Sequence, residues 1–256
     1  MQPSNPLAVL AVILGLSSAV LALPTPRVET DPELTAGYYQ GDIVLDDERE
    51  RTGLRNESYR WPDRIVFYHI NSYIDQEHRD HILRGIRIIE ENSCLIFKEA
   101  TIDQPNYVNV TSENGGCFSY VGKRSTVQQL NLQNYALDTG CFRLGTIVHE
   151  FLHALGFYHQ QSAADRDDYV TIVEENILEG TEHNFNKYNE TVVNDFGVEY
   201  DYGSVMHYTA YAFTANGLMT IVPKQEGAED IMGQRLQMSE ADINKLNLMY
   251  KCPRKV

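Results

Sequence analysis

Basic residues are scarce in this chain: 21 Lys and Arg stand against 36 Asp and Glu, a formal net charge of −15. That balance argues against nucleic acid or an anionic membrane as a partner, because both recruit proteins through positive patches. There are no internal repeats and no low-complexity tracts, so 256 residues read as one domain or two closely packed halves with ample chain for a core. Long apolar runs are almost missing as well. Leu7–Leu23 is uncharged, yet too short and wrongly flanked for a membrane span. It ends in Val20-Leu21-Ala22, small residues suited to signal peptidase, although no Lys or Arg precedes it. Residues 1–22 are therefore expected to be a signal peptide, and the product secreted, extracellular and without a stable membrane anchor. Sequons at Asn56, Asn109 and Asn189 are candidate glycosylation sites that suit this compartment. Cysteine is sparse but even in number: Cys94, Cys117, Cys141 and Cys252 allow three pairings, and a secretory leader favours disulfides over thiolate ligands.

Histidine, by contrast, is concentrated where chemistry would need it, in His149-Glu150-Phe151-Leu152-His153-Ala154-Leu155-Gly156-Phe157-Tyr158-His159. On a helix, residues four apart share a face, so His149 and His153 can aim two imidazoles at one point. Zinc takes neutral imidazole nitrogen at roughly 2.0–2.1 Å, and catalytic zinc keeps three protein ligands and an open position. Gly156 can end the helix in the left-handed conformation and return His159 as third ligand. Glu150, beside the first ligand, can reach a water at such a site and act as general base. A buried helix with incidental histidines is the bland alternative, but it must reproduce four residue types at fixed spacings.

This extended motif is the zinc signature of the metzincins. Within them the chain resembles the astacin family, through HEFLHALGFYHQ, through DRDDYVTI at 165–172, through Ser204-Val205-Met206-His207-Tyr208 and through Gly233-Gln234-Arg235. The likeness runs from about Arg60 to Pro253. It implies a secreted zinc endopeptidase acting on protein or peptide substrates, with one Zn2+ per chain. It also implies disulfides Cys94–Cys252 and Cys117–Cys141, Met206 as an apolar support, and Tyr208 as donor to the developing oxyanion. Arg235 is then expected to bind substrate and favour acidic side chains just after the cut. Residues 23–51, rich in Pro, Asp and Glu, become an inhibitory propeptide. Tyr39-Gln40-Gly41-Asp42 stands where the family has F-x-G-D, making Asp42 the inhibitory zinc ligand. Cleavage after Arg51 by a trypsin-like activator would start the catalytic domain, 52–256, at Thr52. Gln160 departs from the family, which usually places there a Glu that binds the freed N-terminal ammonium. A looser mature N-terminus is expected, since Gln carries no charge.

The fold implied is α+β: a metzincin-like catalytic domain with a twisted, mostly parallel sheet and helices above, an irregular half below and the active-site cleft between. Pattern reading places strands at 64–70, 95–97, 107–111, 118–121 and 127–132, the last alternating cleanly. Helices are expected at 75–92, 142–155 and 174–185, and after the capping-box spacing of Ser239–Asp242. With no evident oligomerisation segment, a monomer is the expectation. A silent secreted binding protein on the same fold is the competing reading, suggested only by Gln160 and by Ser125-Thr126 where the family shows a glycine pair.

Overall fold

In the computed structural model, residues 31–45, 57–189 and 191–253 are described. The expected signal peptide, the cut after Arg51 and the Asn56 sequon lie outside them. The chain forms β1 (Ile43–Val44), β2 (Ile65–Ile70), α1 (Gln76–Glu91), β3 (Ile96–Glu99), β4 (Val108–Thr111), β5 (Cys117–Tyr120), β6 (Gln128–Leu132), α2 (Leu144–Leu155), β7 (Val170–Ile172), β8 (Ile221–Pro223) and α3 (Glu240–Met249). Six strands make one sheet in the order β1-β5-β6-β4-β2-β3, and β7 pairs with β8. Only β5–β6 is antiparallel within the large sheet.

Helix α1 begins at Asp75, whose carboxylate accepts the His78 N–H, and its stripe of Ile82, Ile86 and Ile89 is buried. It meets α2 so closely that a Cβ on Gly85 would lie 2.6 Å from Ile147 Cγ2. Val66, Ile70, Val108, Val110, Leu130 and Leu132 share the same core. A second core gathers Val170, Ile177, Phe185, Tyr200, Tyr202, Tyr208 and Ile221. The two clusters correspond to the regular and irregular halves the resemblance implies.

Two expectations are corrected. Strand β6 does not alternate, because Gln128 and Asn131 are buried beside Leu130 and Leu132. Their amides find partners there: Asn131 donates to the Glu113 and Gly116 carbonyls and accepts from Thr111 Oγ1, and Gln128 donates to Gly122 O and accepts from Arg124 N–H. Nor is 174–185 a helix. It holds two short 3-10 turns, Glu174–Asn176 and Glu182–Phe185. Between them Leu178 N–H donates to Phe213 O and Gly180 takes φ 88°, so bridging replaces helical bonding. Of the sequons, Asn189 is exposed in a loop, whereas Asn109 is half-buried on the interior strand β4.

The disulfides pair Cys94 with Cys252 and Cys117 with Cys141. The first closes 158 residues and pins the end of α3 to the start of β3. Replacing both its cysteines by Ser should destabilise the protein by about 2–5 kcal/mol. Calorimetry of the double variant beside wild type measures this.

Candidate active site

Every residue of α2 after Leu144 is buried. A helix end in such surroundings must satisfy its last carbonyls, and each has a donor. Phe157 N–H serves Leu152, Gly156 and Gly122 N–H serve His153, Trp61 Nε1 serves Ala154, and Tyr250 OH serves Leu155. Gly156 stops the helix at φ 112°. The chain turns and brings His159 alongside.

The Nε2 atoms of His149 and His153 are 3.0 Å apart, and those of His159 and His149 are 3.3 Å apart. Asp42 Oδ2 lies 3.1 Å from His149 Nε2 and 3.3 Å from His159 Nε2, and its Oδ1 lies 3.6 Å from His153 Nε2. Ligands at zinc–nitrogen distances in a tetrahedron sit about 3.3 Å from one another. The four side chains therefore fit one zinc ion. Proton placement agrees: His149 Nδ1 is 2.8 Å from Val205 O and His153 Nδ1 is 2.7 Å from Phe157 O. Carbonyls only accept, so both rings carry the proton on Nδ1 and turn the Nε2 lone pair inward. His159 Nδ1 is held by Gln40 Oε1 at 2.9 Å. Burial holds His153 below its ordinary range and takes His159 down to about 4, favouring the neutral ligand form. Burial alone would raise Asp42, but the His159 and His153 rings bring it well below the usual carboxylate range.

Glu150 is fully buried, and neither carboxylate oxygen has a hydrogen-bond partner among the described residues. Burial, with Asp42 and Glu33 nearby, pushes it well above the ordinary range. Tyr208 is buried beside His159, ring centroids 4.7 Å apart, and its hydroxyl donates to Gln40 O at 2.5 Å. Met206 is buried in the main core, and its carbonyl accepts Gln160 N–H. Asp242, the reciprocal partner of the N-cap Ser239 in the capping box of α3, accepts from Ser204 Oγ and Val205 N–H, which fixes this turn and thereby the carbonyl that orients His149.

Arg235 does not face an open cleft. It is buried, and its Nε and Nη2 hold Glu33 at 2.5–2.9 Å. Gln160 accepts from the buried Lys245 Nζ at 2.6 Å. The sequence reading missed Glu33, Gln40, Thr146 and Lys245. Nothing in their spacing marks them. Glu33 and Gln40 sit in a stretch whose composition reads as a linker, and Lys245 looks like an ordinary surface residue of α3.

Three inward imidazole nitrogens with a buried carboxylate beside them make a site fit for one zinc ion. Residues 53–251 match the family model described as Astacin, a peptidase family. The chain is 51% identical over 243 residues to Seminal metalloprotease 1 of Drosophila melanogaster, spanning 91% of this chain and 96% of that one. It is 40% identical over 214 residues to human Meprin A subunit beta, covering 84% of this chain and 30% of that much longer one. Among solved structures, High choriolytic enzyme 1, a hatching enzyme zinc-protease from Oryzias latipes, superposes with a TM-score of 0.69 at 33% identity, over 77% of this chain and 97% of that one. The chain belongs to the astacin family of zinc metalloendopeptidases.

The approach of α2 to Arg235 is tight, since a Cβ on Gly145 would lie 2.1 Å from the Arg235 carbonyl carbon and oxygen. Gly145→Ala should force these backbones apart and cost about 1–3 kcal/mol by overpacking. Thermal unfolding of the full-length variant measures the loss.

Proposed function

We propose that this endopeptidase is made as a secreted, latent precursor and hydrolyses peptide bonds with Glu150 as general base. The observation that carries this reading is the meeting of His149, His153 and His159 with Asp42 in the fourth corner, beside a carboxylate with no other use. Zinc bound there supplies Lewis acidity at the scissile carbonyl and makes water a usable nucleophile near neutral pH. Glu150 takes the proton of the attacking water and delivers it to the departing amine nitrogen. Tyr208 is positioned to turn its hydroxyl from Gln40 O to the oxyanion once the prosegment leaves. Met206 and its turn support the first ligand.

Residues 1–22 act as signal peptide and 23–51 as inhibitory prosegment, with Asp42 at the zinc. A trypsin-like protease cuts after Arg51, and 52–256 then works as a monomeric catalytic domain outside the cell. No helix among the described residues is long and apolar enough to cross a membrane. Arg235 reads an acidic side chain just after the cut, a charge it already meets in Glu33. The silent-binder alternative gains nothing from Gln160, which belongs to neither the ligand set nor the base.

Gln160 bears on activation instead. It lines a cavity of about 290 Å³ with Asp165, Asp195 and Lys245, so a cation already occupies the wall where the family's Glu would receive the N-terminal ammonium. Beside Gln160 an entering ammonium meets a like charge and a neutral amide, and the acidic residues of the same cavity are the half-buried Asp165 and the exposed Asp195, where solvent screens the attraction, which supports a loosely held N-terminus. Adding one residue before Thr52 should therefore leave most of the activity intact. An inactive extended enzyme would contradict this.

For the chemistry, trypsin-activated Glu150→Gln should bind zinc as wild type does and lose about 10²–10⁴-fold in kcat. A chelator should silence wild type, with zinc restoring it. A Glu150→Gln enzyme within a few-fold of wild type on a quenched peptide would sink the general-base assignment.

A further inference from the structure

Tyr208 lies outside every helix and strand, yet side chains bond both of its main-chain groups. Its N–H donates to Gln161 Oε1 at 3.2 Å, and its carbonyl accepts from His207 Nδ1 at 2.7 Å. His207 is buried and neutral, burial taking it down to about 4. A carbonyl only accepts, so the ring proton sits on Nδ1 and Nε2 is left to accept from Tyr200 OH at 2.7 Å. Tyr200 is itself stacked on Tyr169, with ring centroids 4.7 Å apart and planes 8° apart. The two residues before Tyr208 are held as firmly: Met206 O accepts Gln160 N–H, and His207 O accepts from Arg235 Nη1.

Gln161 is fully buried, and its Nε2 has no hydrogen-bond partner among the described residues. An idle buried donor is destabilising, and an apolar side chain of similar size would avoid it. The use of this amide is therefore the bond its oxygen makes to Tyr208 N–H. The Gln161 carbonyl accepts from Arg166 Nη1, and the same nitrogen donates to Phe185 O. Phe185 stands edge-on to the Tyr208 ring, centroids 6.3 Å apart, and Phe213 lies 5.7 Å from it. One buried guanidinium thus joins the residue that holds the Tyr208 main chain to a ring beside its phenol.

We propose that Gln161 and His207, the latter set by Tyr200, are positioning residues that clamp the main chain of Tyr208 while its phenol swings to the oxyanion. This rests on the reading of Tyr208 as oxyanion donor, and it adds the fixed base that a moving donor needs. Here the hydroxyl is engaged by Gln40 O, so it must move before it can serve a substrate. A tilt of about 10° at the Cα carries a phenol oxygen about 1 Å, and errors of that size are costly at a reacting centre. With N–H and carbonyl both held, the movement is left to the two side-chain torsions, and the hydroxyl travels on a defined arc. Neither Gln161 nor His207 belongs to the metal-binding cluster, so their effect on rate passes through the tyrosine hydroxyl.

The test is a double-mutant cycle on the trypsin-activated enzyme with a quenched peptide substrate. Gln161→Met and Tyr200→Phe are each made with Tyr208 intact and with Tyr208→Phe, and every protein is checked by thermal unfolding and zinc content. Tyr200→Phe removes one oxygen and keeps the stacked ring, so it tests the clamp even where Gln161→Met does not fold. Tyr208→Phe alone should lower kcat about 10²-fold. With Tyr208 in place, Gln161→Met and Tyr200→Phe should each lower kcat by about 5–10-fold and leave KM within about two-fold, because the contact they support is made in the transition state. In the Tyr208→Phe background each should change kcat by less than about two-fold, since no hydroxyl remains to be placed. Equal losses in both backgrounds would show that the substitutions act elsewhere, and would overturn the clamp. Full activity of Gln161→Met and Tyr200→Phe, beside a disabled Tyr208→Phe, would overturn it while leaving the oxyanion reading intact. A Tyr208→Phe enzyme within a few-fold of wild type would remove that reading, and the clamp with it.

Discussion

Two imidazoles on successive turns can share a metal only if the helix carrying them keeps its last turn closed, and here that turn is held from outside the helix. Its final carbonyls take bonds from Trp61 and Tyr250, which are about ninety residues away in sequence on either side. The side of α2 facing away from the histidines is packed with Ile147, Phe151 and Leu155, all buried. The site is thus anchored by the core itself: a change in the packing of α1 or α3 reaches the metal ligands through α2. Ridges that interdigitate this closely transmit displacement because the interior has no slack to absorb it.

Much of this could be read from residue order. The α1 stripe, five strands of the large sheet, the capping of α3 and the ligand helix all follow from local periodicity and end signals, because each is decided by contacts within a few residues. The zinc triad was legible for the same reason: its spacing is a helical repeat plus one glycine turn. What was hidden depends on partners far apart in sequence. Strand β1 is two residues long and exists only because Ile43 and Val44 find β5. Glu33 is one acidic residue among many until Arg235, about two hundred residues on, receives it. Segment 174–185 has helix-compatible composition, yet tertiary pairing with residues 213–215 outbids its local preference. Gln128 and Asn131 upset the alternation of β6 because loops on both sides need their amides.

Burying charge without loss is a recurring theme of the lower half. Asp242 closes its own helix cap and holds the methionine turn with the same two oxygens. Lys245, one turn further along α3, reaches Gln160 next to the third histidine. One face of a short helix therefore touches both the support of the first ligand and the neighbour of the last. Coupling of this kind ties the supports of the first and third histidines to one short helix.

Strand β1 runs parallel to β5 and is the outermost strand of the sheet. A molecule that loses residues 43–44 turns β5 into a border strand with an unpaired row of main-chain groups. Such a border is a template for any extended peptide and, equally, for another copy of itself. Removing residues 43–44 would thus create a place for an incoming backbone to lie, and with it a new hazard of self-association along that edge.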